Sequence, residues 1–185
     1  FINKASTIRI NDLIKDKHPI ILTLARIEAR KGHKIVLEAL SVLLKKYPSM
    51  LYIMAGDGPN KSVVQAYANK LKISNNIHFL GWITEPEKSA LLKITDLFVM
   101  TPHIDDESVE GFGMSFIDAA FHGVAVVGTD NGGIPDAIID GKTGLIAKTS
   151  DVIDIRSKID YLLSDKTKRL ELGNAGKKNA LSKYT

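Results

Sequence analysis

The stretch from 110 to 133, EGFGMSFIDAAFHGVAVVGTDNGG, holds the residues best suited to chemistry. Glu110 stands in a loop with glycines at 111 and 113, and a segment of helical character begins at Met114. Asp118 follows within that segment. A helix start offers unbonded backbone N–H groups and the positive end of the helix dipole, which together suit a phosphate. Gly111 and Gly113 let a ligand approach the main chain closely. The two carboxylates can then accept from hydroxyl groups on either side of that phosphate. Two hydroxyl-rich moieties joined by a diphosphate describe a nucleotide sugar.

Other residues extend this chemistry. Arg26 and Lys31 flank a short loop that ends at Gly32. Two converging cations can clamp a diphosphate, Arg by bidentate contacts and Lys as a point charge, and Gly32 admits the ligand to the backbone. The same spacing also describes two solvated cations on a loop. Arg30, between them, is expected to point to solvent. Gly56-Asp57-Gly58-Pro59 reads as a tight turn or as a backbone wall beside a nucleotide. It is not a dinucleotide fingerprint, because the third glycine position holds Lys61. Gly81-Trp82-Ile83 can line a planar base pocket through backbone groups around Ile83, while the Trp82 ring reads rather as a core or interface aromatic. His103, Asp105, Asp106, Glu107 and Glu110 form an acidic cluster whose spacing matches neither a Ca²⁺ loop nor a paired-His Zn²⁺ motif. A loop that orders over a ligand fits it better than a metal site. Gly132-Gly133-Ile134-Pro135-Asp136 suits either a second anion site or a simple helix start, and Asp140 to Gly144 is a turn.

These loops need elements to hold them. Apolar runs at 20–25, 51–55, 77–80, 97–100 and 125–128 read as strands, with a further brief strand at 145–146. Amphipathic helices are expected at 32–47, 60–72, 86–93, 114–122, 134–139, 151–163 and 166–180. In the first of these helices Ile35, Val36, Leu40, Leu43 and Leu44 share a stripe. Continuous apolar strands are buried on both faces, and their alternation with helices argues an α/β fold, a Rossmann-like doubly wound parallel sheet. Ligands of such sheets bind beyond the carboxyl ends of the strands, where every loop named above falls.

Composition narrows the classes. The net charge of +4 is modest, and no basic stripe interleaved with aromatics suggests nucleic acid. The chain has no cysteine, which excludes disulfides and thiolate metal sites and fits a cytoplasmic protein. No apolar run approaches the length of a membrane span. The opening Phe1-Ile2-Asn3 reads as mid-protein sequence. The expected organisation is therefore a linker over 1–18 from a preceding lobe, followed by a binding domain over 19–185.

The motifs Arg26-x4-Lys31-Gly32, Gly56-Asp57-Gly58-Pro59, Phe79-Leu80-Gly81, Glu110-Gly111-Phe112-Gly113 and Gly132-Gly133-Ile134-Pro135 occur in one order. In that order and at those intervals the chain, from about 20 to about 182, resembles the donor-binding half of the retaining two-lobed (GT-B) glycosyltransferases, family 4 or glycosyl transferases group 1. The resemblance implies the C-terminal half of a GT-B fold. It implies that Arg26 and Lys31 hold the donor diphosphate and stabilise the leaving nucleotide. Glu110 would contact the donor sugar, backbone groups around Gly113, Met114 and Ser115 would add to the grip on the diphosphate, and Gly111 and Phe112 would belong to the donor site. Asp118, where the family usually has Glu, would bind the ribose. Gly32, Gly56, Gly58 and Ile83 would complete the nucleotide site. It implies a UDP-, GDP- or ADP-sugar donor and no metal or other cofactor. A glycan or lipid-linked acceptor would be held by the preceding lobe, through which the protein would associate peripherally with the cytoplasmic face of a membrane. This chain alone would bind nucleotide without turnover. A nucleotide-sugar epimerase of the same architecture and a non-catalytic nucleotide-binding scaffold are the alternatives. The Glu110–Asp118 pair favours the transferase, and the intact Arg26, Lys31 and Glu110 speak against a scaffold.

Overall fold

The computed structural model describes residues 14–103 and 113–184. Six strands make one parallel sheet: β1 (Ile20–Leu24), β2 (Leu51–Ala55), β3 (Ile77–Gly81), β4 (Leu97–Val99), β5 (Ala125–Thr129) and β6 (Leu145–Ala147). Their order is β3-β2-β1-β4-β5-β6. Each expected strand is present within a residue or two of its predicted ends. Among the described residues seven α-helices connect or flank them: α1 (His33–Leu43), α2 (Lys61–Lys70), α3 (Glu85–Ile94), α4 (Met114–Phe121), α5 (Ile134–Ala137), α6 (Val152–Ser164) and α7 (Lys166–Lys183). A 3-10 turn, Ala29–Lys31, leads into α1. α5 is a single turn, shorter than the segment expected at 134–139.

The apolar runs became central strands because both of their faces are covered. In β1, Ile21 joins one core with α1, α2 and α6, while Ile20, Leu22 and Leu24 join another with α3, α4 and α5. Tyr52 and Met54 of β2 alternate with Leu51, Ile53 and Ala55 in the same way. On α1, Val36, Leu37, Leu40 and Leu43 form the buried stripe. α7 packs on α4, β5 and α6. Only β3, at an edge, is half-exposed along its length.

Register places the site. β1 pairs with β2 from Ile20↔Leu51 to Leu24↔Ala55, and with β4 through Ile21↔Leu97. The chain therefore reverses its direction of growth between β1 and β4. Loops leaving two such neighbours diverge to opposite faces and open a crevice at their carboxyl ends. The loop after β1 carries Arg26 and Lys31, and the segment after β4 leads to Gly113 and α4.

Within the stretch read as a linker, Ile14 packs against the core and His18 Nδ1 lies 3.0 Å from Asp96 Oδ2.

Candidate nucleotide site

Two glycines let the site's loops close-pack. Gly32 caps α1 with φ 73, and a Cβ there would lie 1.9 Å from the Thr101 carbonyl oxygen. This contact locks the β1 loop to the end of β4 across the crevice. Gly56, at φ 138, would place a Cβ 2.0 Å from the Ala25 carbonyl oxygen. Its N–H donates to Gly81 at 2.8 Å, which joins the ends of β2 and β3.

A cavity of ≈ 240 Å³ opens at this edge, lined by Leu24, Ala25, Arg26, Ala55, Gly56, Trp82, Ile83, Lys88, Ser115 and Asp118. It gathers Arg26, Gly56, Ile83, Ser115 and Asp118 of the predicted site. Lys31, Gly32, Gly58, Gly113 and Met114 lie on the adjoining loops and helix starts and do not line it. Glu110, Gly111 and Phe112, with the acidic residues 105–107, fall outside the described residues. A larger hollow of ≈ 390 Å³ lies around the start of α1, lined by Glu28, His33, Lys34, Glu38, Asn60 and His103 among others, but it takes only Gly32 from the predicted set.

The β1 loop is organised by a residue that motif reading passed over. Glu28 Oε1 lies 3.1 Å from Arg26 Nη1, and its Oε2 lies 3.1 Å from Arg30 Nε. Arg30 is therefore tied inward, with a side chain only 23% exposed, rather than pointing to solvent. Arg26 keeps a side chain 61% exposed. It is steered by Glu28 yet open to a ligand. His33 Nε2 lies 3.1 Å from the Arg26 carbonyl oxygen. A carbonyl can only accept, so Nε2 carries the proton and Nδ1 is the bare nitrogen. That Nδ1 is buried without a partner among the described residues. Burial pushes the His33 pKa down despite the bond to Arg26, and the charge of Lys31 lowers it further. The imidazole is thus a neutral strut beneath Arg26.

At the other end of the cavity, Lys88 Nζ lies 2.8 Å from Asp118 Oδ2 and 2.8 Å from Glu85 Oε2. Lys88 is the site residue that the sequence analysis missed. The signal available was the Thr84-x-x-Glu87 capping box, which sets the start of α3 and hence the face Lys88 occupies. The Trp82 ring is not a core aromatic: it is 74% exposed at the cavity's rim. β3 is an edge strand, so no neighbouring strand among the described residues covers the ring.

The start of α4 completes the site. Gly113 is its N-cap, and the Ser115 hydroxyl donates to the Leu24 carbonyl at 2.7 Å. The first turn of α4, whose N–H groups lack the i−4 carbonyl of a helix interior, is held beside β1. The second candidate anion site, at Gly132-Gly133, heads a helix of only four residues, which adds less dipole than α4 does.

The sequence matches the family of glycosyl transferases group 1 over residues 5–179. The chain belongs to this family. It is 30% identical over 168 residues to a GDP-mannose-dependent alpha-(1-6)-phosphatidylinositol monomannoside mannosyltransferase of Mycolicibacterium smegmatis; the match covers 90% of this chain and 44% of that protein. The chain thus spans less than half the length of this relative. Among solved structures it superimposes on Anabaena Alr3699/HepE in complex with UDP and glucose, with TM-score 0.84 and 17% identity, covering 98% of this chain and 49% of that one. The C-terminal domain of a glycosyl transferase group 1 family protein (LpcC) from Francisella tularensis matches with TM-score 0.80 and 24% identity, covering 100% of this chain and 94% of that chain. These likenesses fit the C-terminal half of a GT-B fold.

Proposed function

We propose that this group 1 domain binds the donor of a retaining glycosyltransferase, which moves a sugar from a nucleoside-diphosphate sugar to a glycan or lipid-linked acceptor. The observation that carries the reading is the cavity itself. It sets an open Arg26, the first turn of α4 and the Asp118 carboxylate around one crevice, with the Gly56 backbone, Ile83 and Trp82 beside them. A diphosphate fits between Arg26 and the α4 start. A ribose fits against Asp118 and a base against Ile83 and Trp82. As the anomeric carbon develops oxocarbenium character, Arg26 and Lys31 neutralise the departing diphosphate, the task a divalent ion performs elsewhere. Glu110 orients the sugar. A second lobe holds the acceptor, at the cytoplasmic face of a membrane where the acceptor is lipid-linked. This chain alone binds the nucleotide and does not turn over.

Trp82 is the chain's one tryptophan, so its emission reports on the cavity directly. Titration with UDP, GDP and ADP should change that emission for one base in preference to the others, and Arg26→Ala should weaken the response at least about tenfold, the loss of one charge-assisted contact. Unchanged emission and melting temperature with every nucleotide at millimolar concentration would count against the reading.

A further inference from the structure

Lys88 lies in the cavity yet belongs to none of the motifs read from the sequence. Its place is set rigidly. The Thr84 N–H donates to Glu87 Oε2 at 2.8 Å and the Lys88 N–H to the Thr84 carbonyl at 2.8 Å, so the first turn of α3 has little freedom. From there the side chain crosses to α4 and lies between Glu85 and Asp118, itself only 21% exposed. It engages Oδ2 of Asp118, whereas Oδ1 has no partner among the described residues.

Holding α3 to α4 does not require this pair. One turn lower, Ser89 Oγ and His122 Nε2 already bridge the two helices at 3.0 Å, and His122 Nδ1 lies 2.9 Å from the Asp118 carbonyl oxygen. Partly exposed ion pairs contribute little to stability. A carboxylate that accepts from a diol, however, must be aimed. A fixed ammonium on one oxygen aims the other.

We infer that Lys88 is a positioning residue for the ribose end of the donor, holding Asp118 by Oδ2 so that Oδ1 accepts from the ribose hydroxyls. This rests on the donor-binding reading above. Lys88 thereby sets the protein's preference for ribonucleotides over nucleotides lacking the ribose diol.

The test compares UDP and GDP with their 2′,3′-dideoxy counterparts, read by Trp82 emission, in the unmodified chain, Lys88→Met and Lys88→Arg. The unmodified chain should favour the ribose form by about tenfold, the worth of one hydrogen bond to a charged group. In Lys88→Met that preference should fall to about twofold or less, because the aim of Asp118 is lost, whereas any change in affinity from the lost cation falls on both forms alike and leaves their ratio untouched. Lys88→Arg should restore part of it. Full discrimination in Lys88→Met overturns the inference while leaving the donor reading intact, as does equal binding of both forms by the unmodified chain. If the unmodified chain binds neither nucleotide, the donor reading falls and this inference with it.

Discussion

The Ser115 hydroxyl donates to the Leu24 carbonyl across 91 positions of sequence, stitching the first turn of α4 to the last residue of β1. One bond thus brings a helix start to the mouth of the crevice. Ser115→Ala should cost about 1 kcal/mol of stability in urea titration, the net worth of one such bond. It should also weaken nucleotide binding, because the N–H groups of the turn lose their fixed aim. Full affinity in the variant would show that the stitch is structural only.

Gly32 and Gly141 both have positive φ, 73 and 70, but only Gly32 is crowded. A Cβ at 141 meets nothing within 4 Å, whereas at 32 it meets the Thr101 carbonyl oxygen at 1.9 Å. Gly141→Ala should therefore cost about 1 kcal/mol, the left-handed backbone penalty alone. Gly32→Ala should cost roughly 3 kcal/mol or more, because the clash adds to it. Equal costs in the two variants would mean that the β1 loop yields without consequence.

His33 has its pKa lowered from 6.5 by burial. Above that value the imidazole is neutral in both folded and unfolded chains and contributes no pH dependence. As the pH falls below 6.5, the unfolded chain takes up a proton that the folded chain refuses. Stability therefore declines until the pH passes the lower folded value, with a slope of up to about 1.4 kcal/mol per pH unit. His33→Gln removes this component. Unfolding midpoints measured between about pH 5 and 7 should be flatter for the variant, and parallel curves would refute the assignment.

Thr23 donates to the Val99 carbonyl, so the Tyr52 hydroxyl, 2.7 Å from Thr23 Oγ1, must be the donor to Thr23. This buried chain joins β1, β2 and β4, and burial pushes the Tyr52 pKa up. Thr23→Val leaves the phenol without its acceptor and should cost about 1–3 kcal/mol. Adding Tyr52→Phe should recover part of that loss, because no buried hydroxyl then remains unpaired. A strictly additive pair would show that the two groups act independently.

Much of the scaffold was legible along the chain. A run such as Ile20-Ile21-Leu22 carries its own burial, because a strand apolar on both faces has nowhere else to go. Helix ends were legible where the signal is local, as at α3, expected over 86–93 and found at Glu85–Ile94, and less so at α5. There the turn packs behind α4, and its length follows from that packing rather than from propensity. Arg26, Gly56, Ile83, Ser115 and Asp118 were each placed on the ligand edge by following a strand. The inward turn of Arg30 was not legible, since Glu28 neighbours both arginines in sequence and its choice depends on the fold of the 3-10 turn.

By itself the sequence determined the parallel sheet, the edge at which the glycine-bearing and charged loops gather and the residue types offered there. These follow from hydrophobic periodicity and from glycine, proline and charge at strand ends, all read over a few residues. Only the tertiary structure decided which of those residues meet. Lys88 reaches Asp118 across 30 positions, Gly32 fits under Thr101 across 69, and Trp82 stays exposed because β3 is an edge. Contacts of that kind depend on strand order and on how two helices lie across a sheet. No local pattern of side chains encodes them, because they arise only when distant segments compete for the same buried space.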